Sequence, residues 1–134
     1  MTFDFKIRPR EPQDVGFVAG YWLESLAREG LAHRLAPISL VKRAIGARLR
    51  EHARALPCVV AHDPDDRDHL WGFAIGDACC MHWVYVTRHR RGAGVARALV
   101  DAWQAAHGPV TCHRYACTWT ARHSRELGLS GEAL

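Results

Sequence analysis

A basic, glycine-bearing turn, Arg88-His89-Arg90-Arg91-Gly92-Ala93-Gly94, joins a strand-like stretch to a helix-like one and has the makings of an anion site. Backbone N–H groups at a helix start lack intrahelical partners, and the helix dipole adds partial positive charge there. Gly92 and Gly94 carry no Cβ, so the chain can bend sharply and a ligand can approach the backbone closely. Arg88, Arg90, Arg91 and Arg97 add positive charge around the same place. The chemistry such a turn supports is recognition of a phosphate or pyrophosphate. It is neither of two familiar phosphate signatures: G-x-x-x-x-G-K-[ST] is absent, and the glycine spacing is not G-x-G-x-x-G.

A second chemical candidate is His82, a natural general base. It lies four residues before Val86, so strict strand alternation puts it on the face of Val84 and Val86 and turns Tyr85 to the other face, toward packing. The competing reading is a histidine satisfied inside the sheet. Cys79, Cys80 and His82, with Cys112, His113, Cys117 and His123, raise the question of a metal. Neither group has C-x-x-C spacing, and alternation sends Cys79 and Cys80 to opposite faces, so no metal is expected. The run Arg88–Arg91, with Trp and Tyr for stacking, also admits a nucleic-acid-binding or macromolecule-modifying domain. The aromatic residues stand mostly at core spacing, which ranks that reading second; salt-dependent binding of DNA or RNA would identify it.

The elements that must position these residues follow from periodicity. Phe3, Phe5 and Ile7 alternate with Asp4, Lys6 and Arg8, which predicts a half-buried strand closed by Pro9 and Pro12. Asp14 can cap or charge a helix carrying Val15, Val18, Trp22 and Leu26 on one face, ending near Gly30. After Pro37, Ser39 can cap a second helix with Val41, Ile45, Leu49 and Ala53 on its apolar side. Cys58–Ala61 reads as a strand, Asp63–Asp68 as a hairpin turn, and Leu70–Ile75 as the next strand. The acidic turn lacks the residue ladder of a calcium loop. Gly76-Asp77 is the expected turn into a strand over Cys80–Val86, and Val95, Ala98, Leu99, Ala102, Trp103 and Ala106 mark the helix after the basic turn. Gly108-Pro109 ends that helix, a fifth strand follows over Val110–Tyr115, and a weaker helical stretch runs from Thr118 to Leu127.

The 134 residues suit one domain over 1–134, with a core that needs neither metal nor disulfide. No apolar run reaches membrane-spanning length and the N-terminus lacks a signal-peptide layout, so a cytoplasmic protein is expected. Five cysteines, an odd number, favour reduced thiols over a disulfide framework. The net charge of +4 is a mild bias toward anionic partners and does not by itself argue nucleic acid.

Arg91, Gly94 and Ala96, preceded by Val84-Tyr85-Val86, resemble the acyl-CoA loop of the GCN5-related N-acetyltransferases, whose pattern is Arg or Gln, two residues, Gly, one residue, then Gly or Ala. Leu70-Trp71-Gly72-Phe73-Ala74 is similar to that family's third strand, and Ile7-Arg8 followed by Asp14 to its opening; the order of elements matches over residues 3–129. The resemblance implies a mixed α/β (α+β) fold of the acyl-CoA N-acyltransferase type, with a mostly antiparallel central sheet flanked by helices. It implies acetyl-CoA as co-substrate, an amine as acceptor (small molecule or protein), and direct acetyl transfer. Its CoA-binding residues would be Val84, Val86, Arg91, Gly92, Ala93, Gly94, Val95, Ala96 and Arg97. Some members place a working histidine where His82 stands. The segment between the first two helices would border the acceptor. The family commonly has a tyrosine to protonate the leaving thiolate; Ser124 stands there, leaving Tyr115, Ser124 and His123 as candidates. The family also continues into two more strands, so the fold is expected to be shortened at the C-terminus, with a homodimer as one way to complete the sheet. A member that binds CoA without catalysis is the remaining alternative.

Overall fold

The computed structural model describes residues 4–29, 37–113 and 130–131. Their strands form one sheet in the order β1 (Lys6–Pro9), β2 (Cys58–His62), β3 (Leu70–Asp77), β4 (Cys80–Val86), β5 (Cys112–His113) and β6 (Ser130–Gly131). β1 to β4 pair antiparallel, whereas β5 and β6 join parallel. The helices are α1 (Val15–Glu29), α2 (Ile38–Ala55) and α3 (Val95–His107). This is the mixed, mostly antiparallel α/β architecture expected from the sequence. No helix among the described residues is long and apolar enough to cross a membrane.

Alternation along β3 decides which helix covers which face. Phe73 packs edge-on against Phe17 of α1, at 6.5 Å between ring centroids. Gly72 and Gly76 face the other way, toward Leu99 and Trp103 of α3. A Cβ on Gly72 would collide with the Tyr85 carbonyl oxygen, and one on Gly76 would come within 2.5 Å of the Cys80 carbonyl oxygen. These glycines let α3 and β4 lie close to the strand. Gly76 is therefore a strand residue, and the expected Gly76-Asp77 turn sits two residues later at Ala78-Cys79, with Ala78 at φ 52°. The core between the layers is aromatic: Trp22, Phe73, Trp83 and Trp103 are fully buried. Trp103 donates its indole N–H to the Pro57 carbonyl (3.0 Å), and Trp83 donates to the Ser25 hydroxyl (2.8 Å), so these two indoles keep a polar partner inside the core.

Two helix starts differ from expectation. α2 begins at Ile38, and the Pro37 carbonyl, not a Ser39 side chain, accepts the first N–H groups, from Leu40 and Val41 (3.1 Å each). Asp14 closes a short 3-10 turn ahead of α1. Its carboxylate accepts the Glu11 N–H (2.7 Å) and a forked pair of bonds from Arg8 (2.5 and 3.1 Å). Both partners are buried, so the pair ties β1 to the entry of α1.

Burial pushes the Asp14 carboxyl up, but the Arg8 guanidinium and the Glu11 amide outweigh it and hold the group below the usual carboxylate range. A lowered folded-state value stabilises the fold above the ordinary carboxylate range, and that stability is lost as pH falls through it. Asp14→Asn keeps the acceptor oxygen but loses the charge, and should cost about 2 kcal/mol at pH 7. Thermal melts of both proteins from pH 7 to pH 3 check this; the gap should narrow on acidification, and a constant gap would refute the ion-pair account.

Candidate functional site

The basic turn forms as its residue types dictate. β4 ends at Val86, the Thr87 N–H bonds the Trp71 carbonyl (2.7 Å), and one 3-10 turn spans Arg88–Arg90. Gly92 and Gly94 then take left-handed backbone angles (φ 85° and 81°), which glycine adopts without strain. Gly94 is the N-cap of α3, and its carbonyl accepts the first ladder bond from Ala98 (3.1 Å). No side chain caps this helix start and its first turn holds no acidic residue. The amides of Val95, Ala96 and Arg97 thus head the helix with the positive end of its dipole behind them. A Cβ at Gly92 or Gly94 would meet nothing within 4 Å, so the turn is open on its outer side.

The arginines divide the work. Arg91 donates from Nε to the Val86 carbonyl (2.9 Å), and its guanidinium lies 5.7 Å from the Tyr85 ring centroid. Its side chain therefore braces the turn against the strand end while its charge stays at the site. Arg90 lies 4.2 Å over the Trp71 ring. Arg88 is exposed and Arg97 partly so, both beside the open turn. Val84 and Val86 have buried side chains, leaving their backbone as the part available to a ligand. Among the described residues, β5 pairs with β4 at Cys80 and Met81 alone, so no described strand covers the other edge of Trp83–Val86.

His82 is not where alternation puts it. Ile75 pairs with Trp83 while Gly76 pairs with Met81, so His82 is the extra residue of a β-bulge. The bulge turns it away from the face of Val84 and Val86 and onto the side of α1 and α2. There its ring stands edge-on to Trp22 (6.3 Å) and His52 (6.0 Å), at 2% exposure. A glycine inside the β3 pattern, Gly76, is the one sequence signal for such a bulge.

Tyr115, Ser124 and His123 lie outside the described residues. Cys79 and Cys112 do come together: the Cys79 carbonyl accepts the Thr111 and Cys112 amides (2.8 and 3.2 Å) and the Cys112 thiol (3.8 Å). Among the described residues no group of His, Cys, Asp or Glu side chains is arranged to hold a metal ion. Burial pushes the Cys58 thiol up to about 12, which leaves it a packing residue. Residues that sequence reasoning missed are His52, Phe17 and Tyr21, which line the α1–α2 side of β4. Tyr21 carried one signal: it is aromatic yet falls off the apolar stripe of its helix.

No protein-family model matches the chain, and no curated protein matches it. Solved structures do. A Pyrococcus furiosus protein assigned as an acetyl transferase superposes with a TM-score of 0.67 at 14% identity, covering 98% of this chain and 96% of its own. A GCN5-related N-acetyltransferase from Rhodopseudomonas palustris superposes with a TM-score of 0.58 at 19% identity, over 81% of this chain and 69% of its own. AAC(6')-Iy, solved with the bisubstrate analogue CoA-S-monomethyl-acetylneamine, gives 0.55 at 16% identity, over 95% and 91%. At these identities the likeness is one of fold.

Proposed function

We propose that this chain, which has the fold of the GCN5-related N-acetyltransferases, moves an acetyl group from acetyl-CoA to an amine by direct transfer. The observation that carries the reading is the end of β4, where two left-handed glycines and an uncapped helix start aim amides and arginine charge at one open spot. The CoA pyrophosphate is the anion of matching chemistry. The amides from Gly92 to Arg97 would hold it, Ala93 included, with Arg91 bracing the turn through Val86. The backbone of Val84 and Val86 would pair with the pantetheine arm.

In the proposed reaction the neutral amine attacks the thioester carbonyl, the C–N bond forms, the C–S bond breaks, and CoA leaves as a thiolate that takes a proton. An ammonium cannot attack, so a base must first remove a proton. His82 is the proposed base; its burial under α1 and α2 means the proton reaches it through a relay such as water. Tyr115 and Ser124 are the proposed proton sources for the thiolate. That AAC(6')-Iy binds a CoA-based analogue supports the co-substrate.

Thermal unfolding with and without acetyl-CoA tests the reading. A ligand at 100 times its dissociation constant stabilises by about 2.7 kcal/mol. That should raise the melting temperature of a chain this size by roughly 10 °C. No shift at millimolar acetyl-CoA, with the protein folded, would overturn it.

A further inference from the structure

Beside the transfer strand lies a row of rings that core packing alone does not explain. Phe17 contacts Tyr21 at 4.6 Å between centroids, Tyr21 stacks on Tyr85 at 5.1 Å, and Tyr85 stacks on Phe73 at 5.9 Å. Phe73 is core, but the row climbs to the surface, and Tyr21 is 42% exposed. Tyr85 sits between Val84 and Val86, and the Arg91 guanidinium covers part of its ring, so the row abuts the proposed CoA turn. Gly16 and Gly20, one step round α1 from Phe17 and Tyr21, have nothing within 4 Å of a built Cβ. Each costs the helix about 1 kcal/mol relative to alanine, and no neighbour requires it. Their effect is to leave the flank of the rings clear.

Charge narrows what fits. β4 holds no carboxylate, and Glu24 of α1 is already in ion pairs with Arg28 and Lys42. The acidic turn after β2 spends Asp63 and Asp66 on its own amides, from Asp65 and Asp68. No Asp or Glu occurs between Glu29 and Glu51. Among the described side chains of α1 and β4, a polycation would meet Arg91 with no free carboxylate to hold it, whereas a flat ring gains a stacking partner in Tyr21.

We infer that the acceptor is a monoamine carried on a flat aromatic body, seated on the exposed ring of Tyr21 beside Tyr85. This deepens the acetyl-transfer reading and rests on it. The test uses acetyl-CoA with phenethylamine and tryptamine against butylamine and spermidine, in the unaltered protein, Tyr21→Ala and Tyr21→Phe. Release of the CoA thiol and the affinity for acetyl-CoA are measured separately. The aromatic amines should show kcat/KM about tenfold above the others, and Tyr21→Ala should lose that advantage through KM. Tyr21→Phe should retain it, and acetyl-CoA affinity should be the same in all three. Equal turnover of butylamine or spermidine, no turnover of the aromatic amines by a protein that acetylates butylamine or spermidine, or an unchanged KM in Tyr21→Ala would each overturn the acceptor assignment alone; acetyl-CoA binding with turnover of no amine would overturn the transfer reading and the assignment with it. Failure to bind acetyl-CoA would overturn the reading beneath it as well.

Discussion

Gly94→Asp should weaken acetyl-CoA binding by roughly five- to several-hundredfold and shrink the ligand-induced rise in melting temperature. The argument is electrostatic and local. Gly94 is the N-cap of α3 and has open space outside it, so the new carboxylate points to where the pyrophosphate would lie. Like charges a few ångströms apart at a protein surface repel by about 1–4 kcal/mol, depending on the effective dielectric. Holding a side chain at φ 81° adds about 1 kcal/mol of strain, which lowers stability with or without ligand. Gly94→Ala carries the strain without the charge and separates the two effects. Isothermal titration of both variants with acetyl-CoA decides the matter: wild-type affinity in Gly94→Asp would remove the turn as the phosphate site.

His82→Ala should cut acetyl transfer by about a thousandfold while leaving the acetyl-CoA-induced stabilisation in place. His82 faces α1 and α2, apart from the turn that would bind the pyrophosphate, so the two readouts are separable. Emptying a buried ring site also costs stability, so circular dichroism must first show the variant folded at the assay temperature. His82→Gln fills more of the space without supplying a base, and should be folded yet equally slow. Near-normal turnover in either folded variant would return His82 to a packing role against Trp22 and His52.

These two residues also mark how far reading the chain alone could reach. The basic glycine turn was legible because its signal is local: glycine spacing, basic residues, and a switch of period from strand to helix all lie within a few positions. The order of strands and helices was legible for the same reason, since apolar periodicity and Gly/Pro punctuation are properties of short windows. What was not legible is whatever depends on contacts between distant segments. Alternation put His82 with Val84 and Val86, but Trp103 and the β4 backbone close on Gly76, and the bulge opposite it turns His82 over. That the Arg91 side chain donates to the Val86 carbonyl emerges only once strand and turn are folded together. Tyr21 looks like a stray aromatic on a polar helix face until Tyr85, 64 positions on, stacks beneath it.

Element types, the basic glycine turn and the resemblance that pointed to acetyl-CoA could be read from the chain alone. Which side of the sheet His82 lies on, what Arg91 holds, and that the rings of α1 and β4 make one surface came from packing between distant segments. The division has a physical cause: backbone preference and amphipathic period act over a few residues, whereas bulges, close approaches and ring stacks are set by packing between segments far apart in the chain.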